Sequence, residues 1–177
     1  GANQPLYDTY GEWKRSGYAE ANVQCQDCHM RSAKALNGMV SHNIDTPTAR
    51  AISVLIDLST LELRRGGPPI NIAVTIQNTG AGHAFPTGSP FKGARLEVYL
   101  EGPTGPEGVP HRGEIFQADI QRQVESAPPW NIIEDTRIAP GKQRQWHSQH
   151  MLGFEQPQGK WAARVTVSRT VNGFTVE

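Results

Sequence analysis

From residue 50 onward, apolar and polar residues alternate with a period of two in several short runs. Successive side chains of a β-strand point to opposite faces, so this alternation is typical of strands with one buried face. The chain contains 18 glycines and 13 prolines, which is high for a helical bundle and normal for turn-rich β structure. The sequence therefore predicts a mainly β fold.

The predicted strands are short and are separated by stretches rich in Gly and Pro. The strands are residues 51–58, 70–78, 94–100, 143–151 and 161–167, and the breaks are residues 64–69, 101–110 and 155–160. A further strand is expected after the turn at Asn172 and Gly173. This spacing predicts an immunoglobulin-like antiparallel β-sandwich over residues 50–177, without the cysteine pair of antibody domains.

Residues 1–49 differ in character and are predicted to form a short helical segment. Tyr7, Tyr10 and Trp13 recur every three residues, close to one face of a helix. They are expected to pack in the core, to form an aromatic wall against a bound ring, or both. A helix is predicted over residues 29–40 and a linker over residues 41–49.

Both cysteines of the chain lie in one pentapeptide, Cys25-Gln26-Asp27-Cys28-His29. Two thiols at this spacing reach the two vinyl groups along one edge of a porphyrin, and the adjacent imidazole then lies under the iron. We therefore expect covalent haem c at Cys25 and Cys28, with His29 as the proximal ligand. The alternatives are a zinc site, which lacks a fourth ligand, a redox pair, which is expected after a strand, a disulfide and an inert surface pair.

The loop at residues 78–90 carries His83 and Phe85 among three glycines and two prolines. A stiff loop orients an imidazole in advance at little entropy cost, which suits an axial ligand. His83 is therefore a candidate sixth ligand, and the alternative is a hairpin connection in which it caps a turn. The second nitrogen of a ligating imidazole is expected to be held by a carbonyl or a carboxylate.

His42 is the other main candidate for the sixth ligand, because the predicted helix and turn after His29 can wrap to the other face of the haem. A histidine at this position predicts a low reduction potential, whereas a methionine would raise it. The weaker candidates are His111, His147, His150, Met39 and Met151. His147 and His150 are expected on opposite faces of a strand, so they would not chelate one metal.

The charge balance and the motifs limit the classes of function. Lys and Arg number 17, as do Asp and Glu, so no uniformly basic surface is expected for nucleic acid or anionic membranes. No apolar run approaches the roughly 20 residues of a membrane span. Paired carboxylates, a nucleophile elbow and a phosphate loop are not recognisable, so we expect no enzymatic activity.

Two segments and one loop resemble a known family. The run from Tyr10 to Ser16, then Tyr18 and Ala19, and then Val23 to Met30 are similar to a recurring segment of bacterial multihaem c-type cytochromes. His42 and the loop from Gly82 to Gly88 are similar to elements that follow the last haem motif in such proteins, where a β-sandwich often closes the chain. The resemblance covers most of the chain in order and implies electron transfer.

The chain departs from that family at two points. Arg31 stands where the family commonly has proline, and only one C-x-x-C-H motif is present. The other haems would lie upstream of Gly1, or the chain is a monohaem relative. Haem attachment of this type takes place outside the bacterial cytoplasm, so we expect a periplasmic or extracellular protein whose signal peptide is removed or lies outside this sequence.

The function expected from the sequence is that of a c-type cytochrome, or the terminal part of a multihaem one, with one bis-histidine haem. Its expected partners are other haem centres, redox proteins or neighbouring protomers. One alternative is a haem-based ligand-binding or sensor protein with an open sixth position. Another is a β-sandwich binding module with an attached haem, which would dock through residues 113–123 and Trp130.

Overall fold

The structure, a computed structural model, describes residues 5–30, 51–58, 65–128, 130–171 and 174–176. Within these residues, three short helices lie before residue 31 and nine strands lie after residue 51. Every strand pairing among them is antiparallel. The predicted mainly β fold with antiparallel sheets is confirmed.

The helices are α1 (Thr9–Lys14), α2 (Gly17–Glu20) and α3 (Cys25–His29). The strands are β1 (Ile52–Leu58), β2 (Ile70–Asn78), β3 (Lys92–Thr104), β4 (Pro110–Ile120), β5 (Arg122–Val124), β6 (Ile132–Asp135), β7 (Gln143–His150), β8 (Ala162–Val171) and β9 (Phe174–Val176). The five predicted strands correspond to β1, β2, β3, β7 and β8, and the strand predicted after residue 173 is β9.

A hydrogen bond joins α1 to the residues just before α3. The indole nitrogen of Trp13 in α1 donates a hydrogen bond to the Val23 carbonyl at 2.9 Å, just before α3. α3 begins at Cys25, and the backbone N–H preceding it, that of Gln24, donates to Asp27 Oδ2 at 2.8 Å. A helix does begin within the cysteine motif, but α3 ends at His29, where the predicted helix over residues 29–40 was expected to start. The rest of that predicted helix and the linker, residues 31–49, lie outside the described residues.

The strands form three sheets. One has the order β1-β2-β7, a second has the order β4-β3-β8-β9, and β5 pairs with β6. The loop that carries His83 leaves the end of β2 in the first sheet and leads to the start of β3 in the second. This loop therefore lies where the chain crosses from one sheet to the other.

One hydrophobic core draws side chains from both larger sheets. β2 and β3 alternate as predicted, and their buried apolar residues are Ile70, Ile72, Val74, Ile76, Ala94, Leu96, Val98 and Leu100. Phe85, Ile120, Ile138, Leu152 and Trp161 from other parts of the chain complete this cluster. The alternation thus determines which face of each strand is buried. It also determines the side of β2 from which the following loop leaves the core.

The break predicted at residues 101–110 is wrong at both ends. β3 continues to Thr104 and β4 begins at Pro110, so the hairpin connection is confined to residues 105–109. The register shifts between Glu101 and Thr104, which places Gly102 and Pro103 in an irregularity of the ladder. Proline cannot donate a hydrogen bond to a regular ladder, but a bulge accommodates it. β3 therefore continues through a Gly-Pro pair that, in the sequence, resembles the end of a strand.

The pairing of β3 with β4 has a second irregularity, and it explains why β4 was not recognised from the sequence. Tyr99 pairs with Glu114 and its neighbour Val98 pairs with Phe116, so Ile115 has no opposite residue. An extra residue in one strand reverses the alternation from that point onward. Residues 113–123, which were considered as a docking surface, lie largely within β4 and β5.

The aromatic residues of the helical segment do not share one buried face. Tyr7 and Tyr10 are 62% and 67% exposed, and Tyr7 precedes α1. Trp13 is partly buried and stacks at a tilt on Tyr10, with ring centroids 5.4 Å apart. The expectation of core packing is therefore wrong for both tyrosines.

We predict that Ile76→Ala lowers the free energy of unfolding by about 2–5 kcal/mol, because it removes a fully buried side chain and leaves a cavity. Ile133→Ala deletes the same atoms at a position that is 67% exposed, and it is expected to change stability by less than about 0.5 kcal/mol. Urea denaturation of both variants measures the difference. Equal losses would contradict the placement of β2 in the core.

Candidate functional site

The cysteine motif forms a single helical turn. Residues three and four apart lie on one side of a helix, so α3 presents Cys25, Cys28 and His29 together. Both cysteines are free thiols rather than a disulfide; Cys25 is exposed, whereas Cys28 is partly buried. The turn thus offers two unbonded sulfur atoms beside one imidazole.

Asn78 holds the loop that carries His83. Its side chain is 1% exposed, and its amide nitrogen donates to the carbonyls of His83 at 2.8 Å and Ile138 at 3.0 Å. Its amide oxygen accepts the N–H of Ala81 at 3.1 Å. Since a buried amide has few alternative partners, these three bonds fix the path of the backbone immediately before the imidazole.

The other side of this loop is bound to the chain before β7 and packs on the helices. Phe85 and Ile138 exchange two backbone hydrogen bonds of 2.9 Å. A Cβ atom added at Gly82 would lie 3.1 Å from Trp13 Cδ1 and 3.2 Å from Tyr18 Cβ. Glycine at this position therefore allows α1 and α2 to approach the loop closely.

The structure brings two of the histidines predicted as ligands together. The ring centroids of His29 and His83 lie 6.1 Å apart, and their planes are inclined by only 17°. Both side chains are partly buried. Two residues separated by more than fifty positions in the sequence therefore present nearly parallel imidazoles across a narrow gap.

The imidazole of His83 has a hydrogen-bond partner for one of its nitrogens. Nδ1 lies 3.1 Å from the carbonyl oxygen of Ala84, the next residue. In the tautomer with hydrogen on Nδ1, this nitrogen donates to the carbonyl and the lone pair lies on Nε2. This is the arrangement expected of an imidazole that ligates through Nε2.

A carboxylate on α1, which the sequence analysis did not single out, contacts the same loop. Glu12 Oε2 accepts the N–H of Ala84 at 3.0 Å and the hydroxyl of Thr87 at 3.1 Å. Thr9 and Thr87 also join their hydroxyls at 2.9 Å, and Tyr18 donates to the Thr79 carbonyl at 3.1 Å. The helical segment is thus bound to the loop along much of its length.

Glu12 belongs to a cluster of four charged side chains, of which Glu12, Arg122 and Arg137 are mostly buried and Asp135 is more exposed. Its Oε1 lies 2.9 Å from Arg137 Nη1 and 3.9 Å from Arg122 Nη2. Asp135 pairs with both arginines, at 2.8 Å to Arg137 Nη2 and 2.9 Å to Arg122 Nη2. Arg122 further donates to the carbonyls of Pro5 and Leu6, each at 3.0 Å, so the cluster joins β5 and β6 to the start of the helical segment.

The pairing changes the acid–base properties of this cluster. Burial alone would raise the pKa of Asp135, but the hydrogen bonds and charge of Arg137, followed by the bond from Arg122, hold it below its usual value of 3.8. Burial likewise opposes the charged form of Arg137, yet the bonds and charges of Asp135 and Glu12 raise its pKa. Asp135 and Arg137 are therefore both ionised at neutral pH.

The structure does not bring the other candidates that it describes next to His29 and His83. His42 and Met39 fall outside the described residues. His111 and His147 are exposed, His150 is partly buried on the opposite face of β7 from His147, and Met151 is 57% exposed. Trp130, considered as a docking residue or as packing, is 43% exposed.

The described part of the chain shows neither a separate metal cluster nor a membrane-spanning helix. Among these residues, no group of three or more His, Cys, Asp or Glu side chains is arranged to hold a metal ion. A cleft of about 1080 Å³ opens between the helices and the strands, but its walls include Glu12, Arg122 and Asp135 rather than the His29–His83 gap. Within the same residues, no helix is both long enough and apolar enough to cross a bilayer.

Comparison with known proteins finds neither a matching protein family nor a matching curated protein. Spo0M, a sporulation control protein from Bacillus subtilis, is 15% identical with a TM-score of 0.32 over 70% of this chain and 44% of that chain. A beta-glucosidase from Listeria innocua in complex with glucose is 15% identical with a TM-score of 0.37 over 71% of this chain and 17% of that chain.

A beta-glucosidase from Paenibacillus barengoltzii is 15% identical with a TM-score of 0.35 over 70% of this chain and 14% of that chain. The chain spans less than half the length of each of these three proteins. Likenesses of this size carry no argument about fold or activity.

We predict that Asp135→Asn destabilises the protein by about 2 kcal/mol at pH 7, because the carboxylate receives hydrogen bonds from two mostly buried guanidinium groups. The pKa of Asp135 is lower in the folded state, so its contribution is complete above the usual value of 3.8 and is lost as the pH falls through the folded pKa. Denaturation from pH 7 to pH 2 should therefore show wild type and variant converging only in strong acid. A constant difference would contradict this assignment.

Proposed function

We propose that the chain is a c-type cytochrome, or the terminal part of a multihaem one, that transfers electrons and catalyses no reaction of its own. Cys25 and Cys28 would hold the haem covalently, and His29 and His83 would be its two axial ligands. The observation that carries the proposal is the pair of nearly parallel imidazoles with centroids 6.1 Å apart.

The spacing of the two rings supports an iron atom between them. Metal–imidazole bonds are about 2 Å long, so an iron held by both histidines would have ligating nitrogens about 4 Å apart. The centre of an imidazole lies a little over 1 Å behind its nitrogen, so an iron-bridged pair has centroids about 6 Å apart.

Residues of this chain supply attachment, orientation and axial coordination. The exposed thiol of Cys25 and the partly buried thiol of Cys28 lie on the same turn as His29, as the two thioether links require. The contact from Nδ1 of His83 to the Ala84 carbonyl orients the ring and leaves Nε2 as the ligating atom. A bound haem would supply one-electron exchange at its edge, at the low potential typical of two histidine ligands.

The order of the strands supports an immunoglobulin-like sandwich as the second part of the chain. With β1, β2, β3, β4, β7, β8 and β9 labelled A, B, C, C′, E, F and G, the two sheets are A-B-E and C′-C-F-G. Strands A, B and E share one sheet of the immunoglobulin fold, and C, F and G share the other. In this proposal, residues 1–49 form the haem-binding segment and residues 50–177 the sandwich.

The proposed setting is the periplasm or the cell exterior, where c-type haem is attached. One haem is useful in electron transfer only when a second redox centre comes near its edge. The proposed partners are therefore other haems of a longer parent chain, a redox protein or a neighbouring protomer. The zero net charge gives no reason to expect strong electrostatic steering of a soluble partner.

Covalent attachment is tested by mass. Protein made in a host with c-type maturation should remain heavier by one haem after denaturation, because thioether bonds survive unfolding. The Cys25→Ala/Cys28→Ala double variant, made in parallel, should have the mass of the chain alone. A wild-type chain without added mass would contradict the proposal.

The sixth ligand is tested by spin state. His83→Ala should convert the ferric haem from low-spin to high-spin in absorption and electron paramagnetic resonance, because one strong axial ligand is lost. His42→Ala and the exposed His147→Ala should both remain low-spin. Conversion by His42→Ala alone would assign the position to His42, and low-spin spectra of all three variants would require another residue or another chain.

A further inference from the structure

Two adjacent residues of α1 contact the two segments that bear the proposed axial ligands. Trp13 donates from its indole to the Val23 carbonyl at 2.9 Å, two residues before Cys25. Glu12 accepts the N–H of Ala84 at 3.0 Å, directly after His83. One short helix therefore joins both sides of the gap between the two imidazoles.

The contact of Glu12 with the loop lies one peptide unit from the imidazole of His83. The N–H of Ala84 donates to Glu12 Oε2, and the carbonyl of the same residue lies 3.1 Å from His83 Nδ1. The Thr87 hydroxyl donates to the same carboxylate oxygen at 3.1 Å. Glu12 thus holds the backbone that in turn orients the ring.

Glu12 itself is firmly held. Its side chain is 11% exposed, and Arg137 Nη1 lies 2.9 Å from Oε1, opposite the oxygen that faces the loop. The remaining side-chain bonds from the helical segment to the loop come from Tyr7, Thr9 and Tyr18, and each is a single bond between uncharged groups. Hydrogen bonds to a charged group are about twice as strong as these, so Glu12 is the dominant polar contact between α1 and the His83 loop.

We propose that Glu12 is a positioning residue for the sixth haem ligand, which fixes the His83 loop so that the imidazole stays opposite His29. This inference rests on the proposed function. Asn78 and Ile138 bind the loop to the β structure, whereas Glu12 binds it to the segment that carries the other ligand. Without Glu12, the loop would remain folded, but only the weaker contacts with the helical segment would hold the distance between the two rings.

The experiment compares Glu12→Ala with Glu12→Gln in the haem-loaded protein. Both changes remove the charge beside Arg137, but only glutamine keeps an oxygen that can accept from Ala84 and Thr87. Glu20→Ala, which removes an exposed carboxylate of α2, is the matched control, and His83→Ala is the reference for a lost ligand. The readouts are the ferric spin state, the half-saturating concentration of added imidazole, and the mass of the denatured protein.

Glu12→Ala should show a substantial high-spin fraction and bind imidazole about tenfold or more tightly, because His83 competes less well for the iron. Glu12→Gln should remain mainly low-spin, with an imidazole affinity within about threefold of wild type, and Glu20→Ala should match wild type. The haem mass should be unchanged in all of them, since the thioether links do not involve Glu12.

Two results would overturn the inference, and they differ from a failure of the proposed function. If His83→Ala becomes high-spin while Glu12→Ala keeps the wild-type spectrum and imidazole affinity, His83 is the ligand but Glu12 does not position it. Equal effects of Glu12→Ala and Glu12→Gln would assign the role to charge rather than to the hydrogen bonds. If His83→Ala itself stays low-spin, the ligand assignment fails and this inference fails with it.

If Glu12→Ala does not fold, as judged by the circular dichroism of the strands, Glu12→Asp replaces it. Aspartate keeps the charge beside the arginines but is one methylene shorter, so it cannot reach Arg137 and Ala84 together. It should show the same high-spin fraction and the same gain in imidazole affinity. A wild-type spectrum from this variant would count against the positioning role.

Discussion

The docking of the helical segment on the β structure depends on the cluster formed by Glu12, Arg122, Asp135 and Arg137. Both arginine side chains are less than a tenth exposed, at 7% and 8%. Removing a charge from water costs several kcal/mol per ion unless opposite charges and hydrogen bonds replace the lost interactions with water. Each charge here has partners from a different part of the chain, so the cluster is stable only when α1, β5 and β6 are all in place. Such mutual dependence makes the docking cooperative.

The parts of the fold that were predicted from the sequence are those whose pattern is local. β2 and β3 alternate without interruption through the core, and period-two spacing is sufficient to identify them. β4 was not predicted because Ile115 is an extra residue that reverses the alternation. The end of β3 was placed too early because the Gly102-Pro103 pair lies within an irregularity of the strand rather than at its end. A bulge is a relation between two strands, so one strand's sequence does not display it.

The candidate site divides in the same way. Cys25, Cys28 and His29 were proposed from a contiguous motif, and His83 was proposed from the stiffness of its loop. Glu12 gave no such signal, because its partner Ala84 is 72 residues away and contributes only a backbone N–H, which every residue except proline possesses. Contacts of side chains with backbone groups are set by tertiary docking and cannot be inferred from the identity of the partner.

Asn78 links the position of His83 to the inward and outward alternation of residues along β2. It is the last residue of the strand and occupies the same inward phase as Ile70, Ile72 and Val74. Inserting or deleting one residue within β2 would exchange the two faces, turn this amide toward solvent and release the His83 carbonyl. Length changes among homologous chains should therefore be tolerated before Ile70, while within β2 they should occur only in pairs. The buried aliphatic residues of β2 thus determine, through Asn78, where the imidazole beyond the end of the strand is held.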